Sequence, residues 1–388
     1  MLSTPRAPLV EIEVAEAYEL LMSLVAASDP GERGTFEIGR EWFERAEAAA
    51  GEALLADIAR LSGASSWVFG NVLPLALTAE APRDGAALRA RLEALDDEEL
   101  HLHLLGYYLR PFRRATPPEV TLAASRGDPA AVAEMRRTSF PGDARWPAAV
   151  AGLLGLGQAE SAALLRRVVG EWHERVFRDE WAALHAVAER DAADKRALAG
   201  SLSPERLIDL ATRGWEYVPE PGVARVVLAP SAVVRPWNVT ADSGDTRIFC
   251  YAVGDEAVSA TVGSPPPRLV RQLRALADER RLRVLRRLRE SPASLAELAA
   301  EFGQPKTTMH HHLVALRAAG LVRIRDRRAQ YAPNSRYEGR FETLPDVWQS
   351  LAEFLSVDAA APGASPPAGA PVPRDPMRHR PRAAAARR

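Results

Sequence analysis

Nine side chains between residues 306 and 328 have the chemistry to read a nucleic acid. Lys306, Thr307, Thr308, His310 and His311 open a helical stretch, Arg317 lies near its end, and Arg325, Arg327 and Arg328 follow it. Lysine and arginine are cationic donors suited to phosphates and guanine edges, while threonine and histidine can donate or accept at base edges. Thr307 and His310 lie three apart, so they share a helix face with Lys306, whereas Leu313 and Leu316 should turn inward. The chemistry implied is recognition rather than bond making. The helix would read base edges, and the arginines would hold the phosphate backbone.

The flanking sequence supplies the elements such residues need. Ser294 and Glu297 form an S-x-x-E capping box that starts a helix over 294–302. Gly303 can take the left-handed geometry that closes it, and Pro305 is pre-set for the first turn of the next helix. That helix spans 306–319 and ends at Gly320. Upstream, Leu269, Leu273, Leu276 and Ala277, then Leu282, Leu285 and Leu288, recur at helical spacing. Downstream, extended runs at 321–325 and 329–332 are joined by the charged turn 326–328. Taken in order, these elements form a winged helix-turn-helix pattern over 269–332.

Charge supports this reading. The whole chain is nearly neutral at −1, but residues 265–335 hold 15 lysines and arginines against 6 acids, and residues 1–264 hold 27 against 39. A dense basic segment behind an acidic one is the footprint of a phosphate-binding module.

Three stretches in order carry a resemblance: 275–285 (ALADERRLRVL), 295–299 (LAELA) and 309–322 (MHHHLVALRAAGLV). They resemble the ArsR-type winged-helix transcriptional regulators, over roughly the last third of the chain. The resemblance implies a homodimer on palindromic operator DNA, engaged or released by an effector. It also implies that Lys306, Thr307, His310 and His311 face the major groove and that Arg325, Arg327 and Arg328 form the wing. The acidic helical region resembles the N-terminal extension of a subgroup of these regulators. Two features depart from the family: the module contains no cysteine, which argues against sensing of soft metals, and the wing turn lacks the usual glycine.

The fold class expected is mainly α, with a helical N-terminal domain, a small antiparallel β insert and a C-terminal winged helix-turn-helix. Residues 1–218 read as an acidic, all-helical regulatory domain, helical from residue 9 to about 215. Residues 219–263 read as a small β-rich segment, because 226–228, 233–234 and 247–253 are β-branched and aromatic and 241–245 is a turn cluster. Residues 264–358 would bind DNA and dimerise, with an amphipathic terminal helix over 344–355. Residues 359–388, built of Ala, Pro and Arg, bury too little to order themselves and read as a disordered basic tail.

Several chemistries are not supported. The one cysteine, Cys250, cannot build a disulfide framework or a cysteine-rich metal site and reads as a buried thiol on a strand. Successive residues of a helix diverge by about a hundred degrees, so His310, His311 and His312 cannot converge on one ion, and His101 and His103 diverge likewise. His173-Glu174 starts an H-E-x-x-H pattern, but Phe177 stands where the second histidine belongs. No metal, cofactor or catalytic residue is therefore assigned, and the protein is expected not to be an enzyme. No signal peptide or membrane span is expected, which points to the cytoplasm. The expected partners are double-stranded operator DNA, a second copy and a small-molecule effector, for which Trp42, Phe43, Trp67, Phe69, Tyr107, Tyr108, Trp146, Trp172 and Trp181 could line an apolar pocket. The leading reading is an effector-responsive repressor. A DNA-tethered enzyme with a catalytic helical domain and a winged-helix protein-interaction module are the alternatives.

Overall fold

The computed structural model describes residues 7–63, 65–109, 116–138, 145–213, 217, 219–258, 265–325 and 336–355. The first part of the chain runs β1 (Leu9–Ile12), α1 (Glu16–Ala27), α2 (Arg40–Ser62), α3 (Trp67–Thr78), α4 (Gly85–Ala94), α5 (Asp97–Leu104), α6 (Pro118–Ser125), α7 (Pro129–Thr138), α8 (Arg145–Trp172), α9 (Arg178–Ala199) and α10 (Pro204–Thr212). Strands β2 (Arg225–Ser231), β3 (Val239–Ser243) and β4 (Thr246–Ala252) follow. The second part runs α11 (Pro267–Leu276), α12 (Glu279–Leu288), β5 (Ala293–Ser294), α13 (Leu295–Glu301), α14 (Lys306–Ala318), β6 (Val322–Arg325), β7 (Arg336–Gly339) and α15 (Leu344–Phe354). The protein is mainly α. The tail 359–388, Arg327, Arg328 and the expected run 329–332 lie outside the described residues.

Three of the short helices start where the sequence offers a side-chain acceptor. Asp84, Asp96 and Asp128 accept from the amides of Ala87, Glu99 and Ala131 at 2.7, 2.8 and 2.8 Å, which satisfies donors that a helix start leaves open. Helix α3 follows a different logic: it is apolar on all sides and buried from Val68 to Leu77, so packing holds it despite Pro74 in its interior.

The first sheet has the order β1-β2-β4-β3. It corrects two expectations. The pairs β1–β2 and β2–β4 are parallel and only β3–β4 is antiparallel, so the sheet is mixed rather than antiparallel. Residues 9–12 also form a strand rather than the start of a helix, because a partner edge is provided by Arg225–Leu228, far along the chain. Alternation sorts the buried side chains onto two faces. Val227, Ala229, Ile248 and Cys250 join the large core with α1 and α3, while Val226, Leu228, Phe249 and Tyr251 pack with Leu207, Ile208 and Ala211 of α10. Helices thus cover both faces, and strands buried on both faces read as unbroken apolar runs.

One 18-residue window in the helical run Pro147–Ala199 has mean hydropathy 1.4, enough by length and composition to cross a bilayer. In this fold Val150, Leu153, Leu164, Leu165, Val168 and Val169 of that run are core residues packed against α2 and α5. Core also claims Trp42, Phe43, Phe69 and Trp172, aromatics that the sequence offered to an effector pocket.

The second part has its own core. Leu269, Val284, Leu285, Leu288, Leu298, Met309, Leu313, Leu316, Leu321 and Val347 form a cluster that shares no residue with the other two. Truncating one of these leucines to alanine should cost roughly 2–5 kcal/mol, the transfer term plus the cavity left behind.

Candidate nucleic-acid interface

Helices α13 and α14 are closed and opened by the residues that predicted them. Ser294 Oγ accepts from the Glu297 amide at 3.2 Å, and the Glu297 carboxylate accepts from the Ser294 amide at 2.7 Å. At the other end Gly303 adopts φ +60°, its amide reaches the Ala300 carbonyl at 3.2 Å, and the Gln304 amide reaches the Ala299 carbonyl at 2.9 Å. This paired closure needs a left-handed residue, for which glycine carries no Cβ penalty. Gly320 repeats it at φ +69°, with its amide on Arg317 O at 2.8 Å and the Leu321 amide on Leu316 O at 3.0 Å. The ends of both helices, α13 and α14, are thereby closed.

Met309, Leu313 and Leu316 recur at i, i+4 and i+7 and bury one stripe of α14 in the core. The opposite and flanking positions face outward. Lys306, His310 and His311 are exposed, Thr308 is half-buried, and the rings of His310 and His311 stand 6.2 Å apart at 63°. His312 turns back and is half-buried near Asp278, and burial holds its imidazole below the ordinary histidine value. The triplet is thus divided, two rings outward and one toward the core, and does not converge on one point. Thr307 occupies the first turn of α14.

The wing is a three-stranded sheet in the order β5-β7-β6. Arg325 ends β6 opposite Arg336. The strand that returns against β6 is Arg336–Gly339, later in the chain than the run expected at 329–332. Arg336 anchors it, donating to the Glu297 carboxylate at 3.0 Å and to the Pro292 carbonyl at 2.8 Å. On the neighbouring strand Arg323 pairs with Glu338 at 3.0 Å.

Arginines of α12 extend the basic surface. Arg280, Arg283 and Arg286, with Arg289 just past the helix end, are exposed; Arg283 pairs with Glu279 at 2.6 Å, and Arg287 is turned to Glu301 at 2.8 Å. Clustered cations on one helix and the start of another, carried by a rigid small core, suit a polyanion with regularly spaced phosphates.

Arg317 is placed differently from Lys306, His310 and His311. It is half-buried, and its guanidinium carbon lies 5.5 Å from the ring centroid of Trp237, in the loop between β2 and β3. Beside it Arg271 of α11 meets Glu37 and Asp255 of the acidic part. Neither Trp237 nor Arg271 was singled out by sequence. Each finds its partner only through the tertiary fold, and no motif links them.

These elements form a helix-turn-helix domain, the DNA-binding module of a transcriptional regulator. Consistent with this, residues 276–325 match a protein family described as a helix-turn-helix domain. No curated protein and no solved structure matches the chain.

Proposed function

We propose that the protein is a dimeric, effector-responsive repressor of the ArsR type that binds operator DNA in the cytoplasm. The observation that carries the reading is the first two turns of α14, where Lys306, His310 and His311 are exposed while Met309 and Leu313 are locked in the core. A helix held on one side and offering cations and hydrogen-bonding rings on the other is suited to a major groove. Lys306, Thr307, Thr308, His310 and His311 would read base edges, and Arg325, Arg327 and Arg328 would hold phosphates.

Dimerisation would use α11 and α15, which pack together and leave Trp348 57% exposed beside Leu355. The effector would be a small organic molecule rather than a soft metal. Cys250 is fully buried and burial pushes its thiol up, so a thiolate is not offered to a metal. The test is selection of duplexes from a random pool by the purified protein, followed by screening of small molecules for release of the selected duplex. Enrichment of no sequence above the input pool would overturn the reading.

A further inference from the structure

The two halves of the chain meet at a junction made of charge and one indole. Trp237 is held in place: its Nε1 donates to Thr35 Oγ1 at 3.0 Å, and its amide donates to the Val234 carbonyl at 2.7 Å. Over its face sits Arg317, seven residues after His310 and therefore on the same edge of α14. A guanidinium on an indole face is an attractive cation–π contact, and here it holds the Arg317 side chain toward the acidic half of the chain.

A second contact uses the same loop. Arg271 of α11 reaches Glu37 and lies 3.3 Å from Asp255, and those two carboxylates also hold Arg235, two residues before Trp237. Arg235 and Asp255 are almost fully buried, with side chains 5% and 6% exposed. Segment 35–37 and loop 235–237 therefore carry both contacts, so the two release together.

The makeup of the junction favours opening. The winged-helix core and the acidic-domain cores share no residue, so separation exposes ions and an indole rather than a broken hydrophobic core. Buried ion pairs recover much of their lost Coulomb energy as hydration when they part, and polar interfaces between domains open more readily than apolar ones. Docking also sets a body with 39 acids against 27 bases beside a module with 15 bases against 6 acids. Such a neighbour opposes an approaching polyanion.

We propose that this junction is an intramolecular latch: in the docked state Trp237 keeps Arg317 from DNA and lowers affinity, and opening releases it. The inference rests on the DNA-reading assignment of α14. Linkage makes the effect reciprocal, so DNA favours the open state by the same factor by which opening favours DNA.

The experiment uses the full chain with spin labels at Arg40→Cys and Glu290→Cys, one exposed site on each half, and duplexes selected by the unlabelled protein. The parent should show one label distance that lengthens when the selected duplex is added. Trp237→Ala should lengthen it without DNA, bind that duplex about tenfold more tightly, and steepen the salt dependence by about one unit, as for one added phosphate contact. Arg317→Ala and the double variant should show no such gain. Glu37→Gln, which keeps side-chain shape and loosens Arg271, should give a gain of about threefold and serves if Trp237→Ala does not fold. An unchanged distance in both Trp237→Ala and Glu37→Gln, or a lengthened one with equal or weaker binding, overturns the latch and leaves the DNA assignment standing. If the unlabelled protein selects no duplex, the DNA assignment fails and the latch with it.

Discussion

Glu297 and Arg336 tie the helix-turn-helix to its wing. One carboxylate oxygen of Glu297 closes the cap of α13 on the Ser294 amide, and the other accepts from Arg336 on β7 at 3.0 Å. The side chain that starts a helix thus also fixes the strand that carries the wing.

The cap should be measurable. Ser294→Ala removes the acceptor for the Glu297 amide and should lower stability by about 1 kcal/mol, read as a lower urea midpoint. The Glu297 carboxyl is held below the usual range, first by the Ser294 amide and then by Ser294 Oγ and Arg336. A lowered folded value means the contribution is present above the ordinary glutamate pKa and lost as pH falls through the folded one. Glu297→Gln should therefore show a smaller drop in urea midpoint between pH 6 and pH 3 than the parent; an equal drop would count against the pairing.

Base contacts and backbone contacts should separate in titrations. Lys306→Ala and His310→Ala are expected to lose roughly 1–3 kcal/mol on the selected duplex and to relax its sequence preference. Arg325→Ala and Arg327→Ala should weaken selected and scrambled duplexes alike and reduce the salt slope by about one unit. Titration of each variant against both duplexes at several salt concentrations reads the difference. Binding like the parent in all four would remove the roles assigned to this helix and wing.

The exposed Trp348 gives a test of assembly. At micromolar concentration the full chain should sediment as a dimer, and Trp348→Asp should shift it to monomer and weaken binding to a two-half-site duplex. Each half-site contact alone is weak, and linking two raises overall affinity by effective concentration. A parent that sediments as a monomer would rule out the proposed α11–α15 interface.

Acid should destabilise the helical part through His101. This imidazole is fully buried on α5, its Nδ1 lies 2.6 Å from Ser161 Oγ, and burial lowers its pKa from 6.5 to about 4. The unfolded chain takes up a proton between those values and the folded chain does not, so stability should fall as pH drops from about 6.5 to about 4. The loss is on the order of 3 kcal/mol from this group. His101→Gln, which can still meet Ser161, should show a flatter profile of urea midpoint against pH; a profile as steep as the parent's would place the proton uptake elsewhere.

The parts legible in sequence were those set by local chemistry. Ser294, Glu297, Gly303 and Gly320 act on backbone groups within a few residues, so their types alone located α13 and α14. The outward turn of His310 followed from its three-residue spacing to Thr307 in the same way, whereas that of His311 was implied by the family resemblance. Other elements depend on distant partners. Helix α3 shows no periodicity because it is buried on all sides. β1 has too few residues to declare itself before β2 is in place, and β7, with the sequence RYEG, lacks a clear alternation. The 233–234 pair read as a strand is instead part of the turn that presents amides of Ala232 and Val233 to Glu19 at 2.8 and 3.0 Å. Arg317 was named from sequence with the other candidates, but its contact with Trp237 was not legible, because that partner lies in the other half of the chain.

The parallel pairing of Leu9 with Arg225 has a consequence for synthesis on the ribosome. The first strand must wait for residues 225–228 to emerge before its partner edge exists, and β2 in turn needs β4 on its other side. Closing so long a loop is slow relative to contacts between near neighbours. The helices between 267 and 318 contact one another over much shorter separations, α11 with α12 and α14, and α13 with α14, so they can settle quickly once released. The helix-turn-helix thus needs little time to mature once it emerges, while the sheet of the acidic part stays incomplete until residue 252 has left the ribosome.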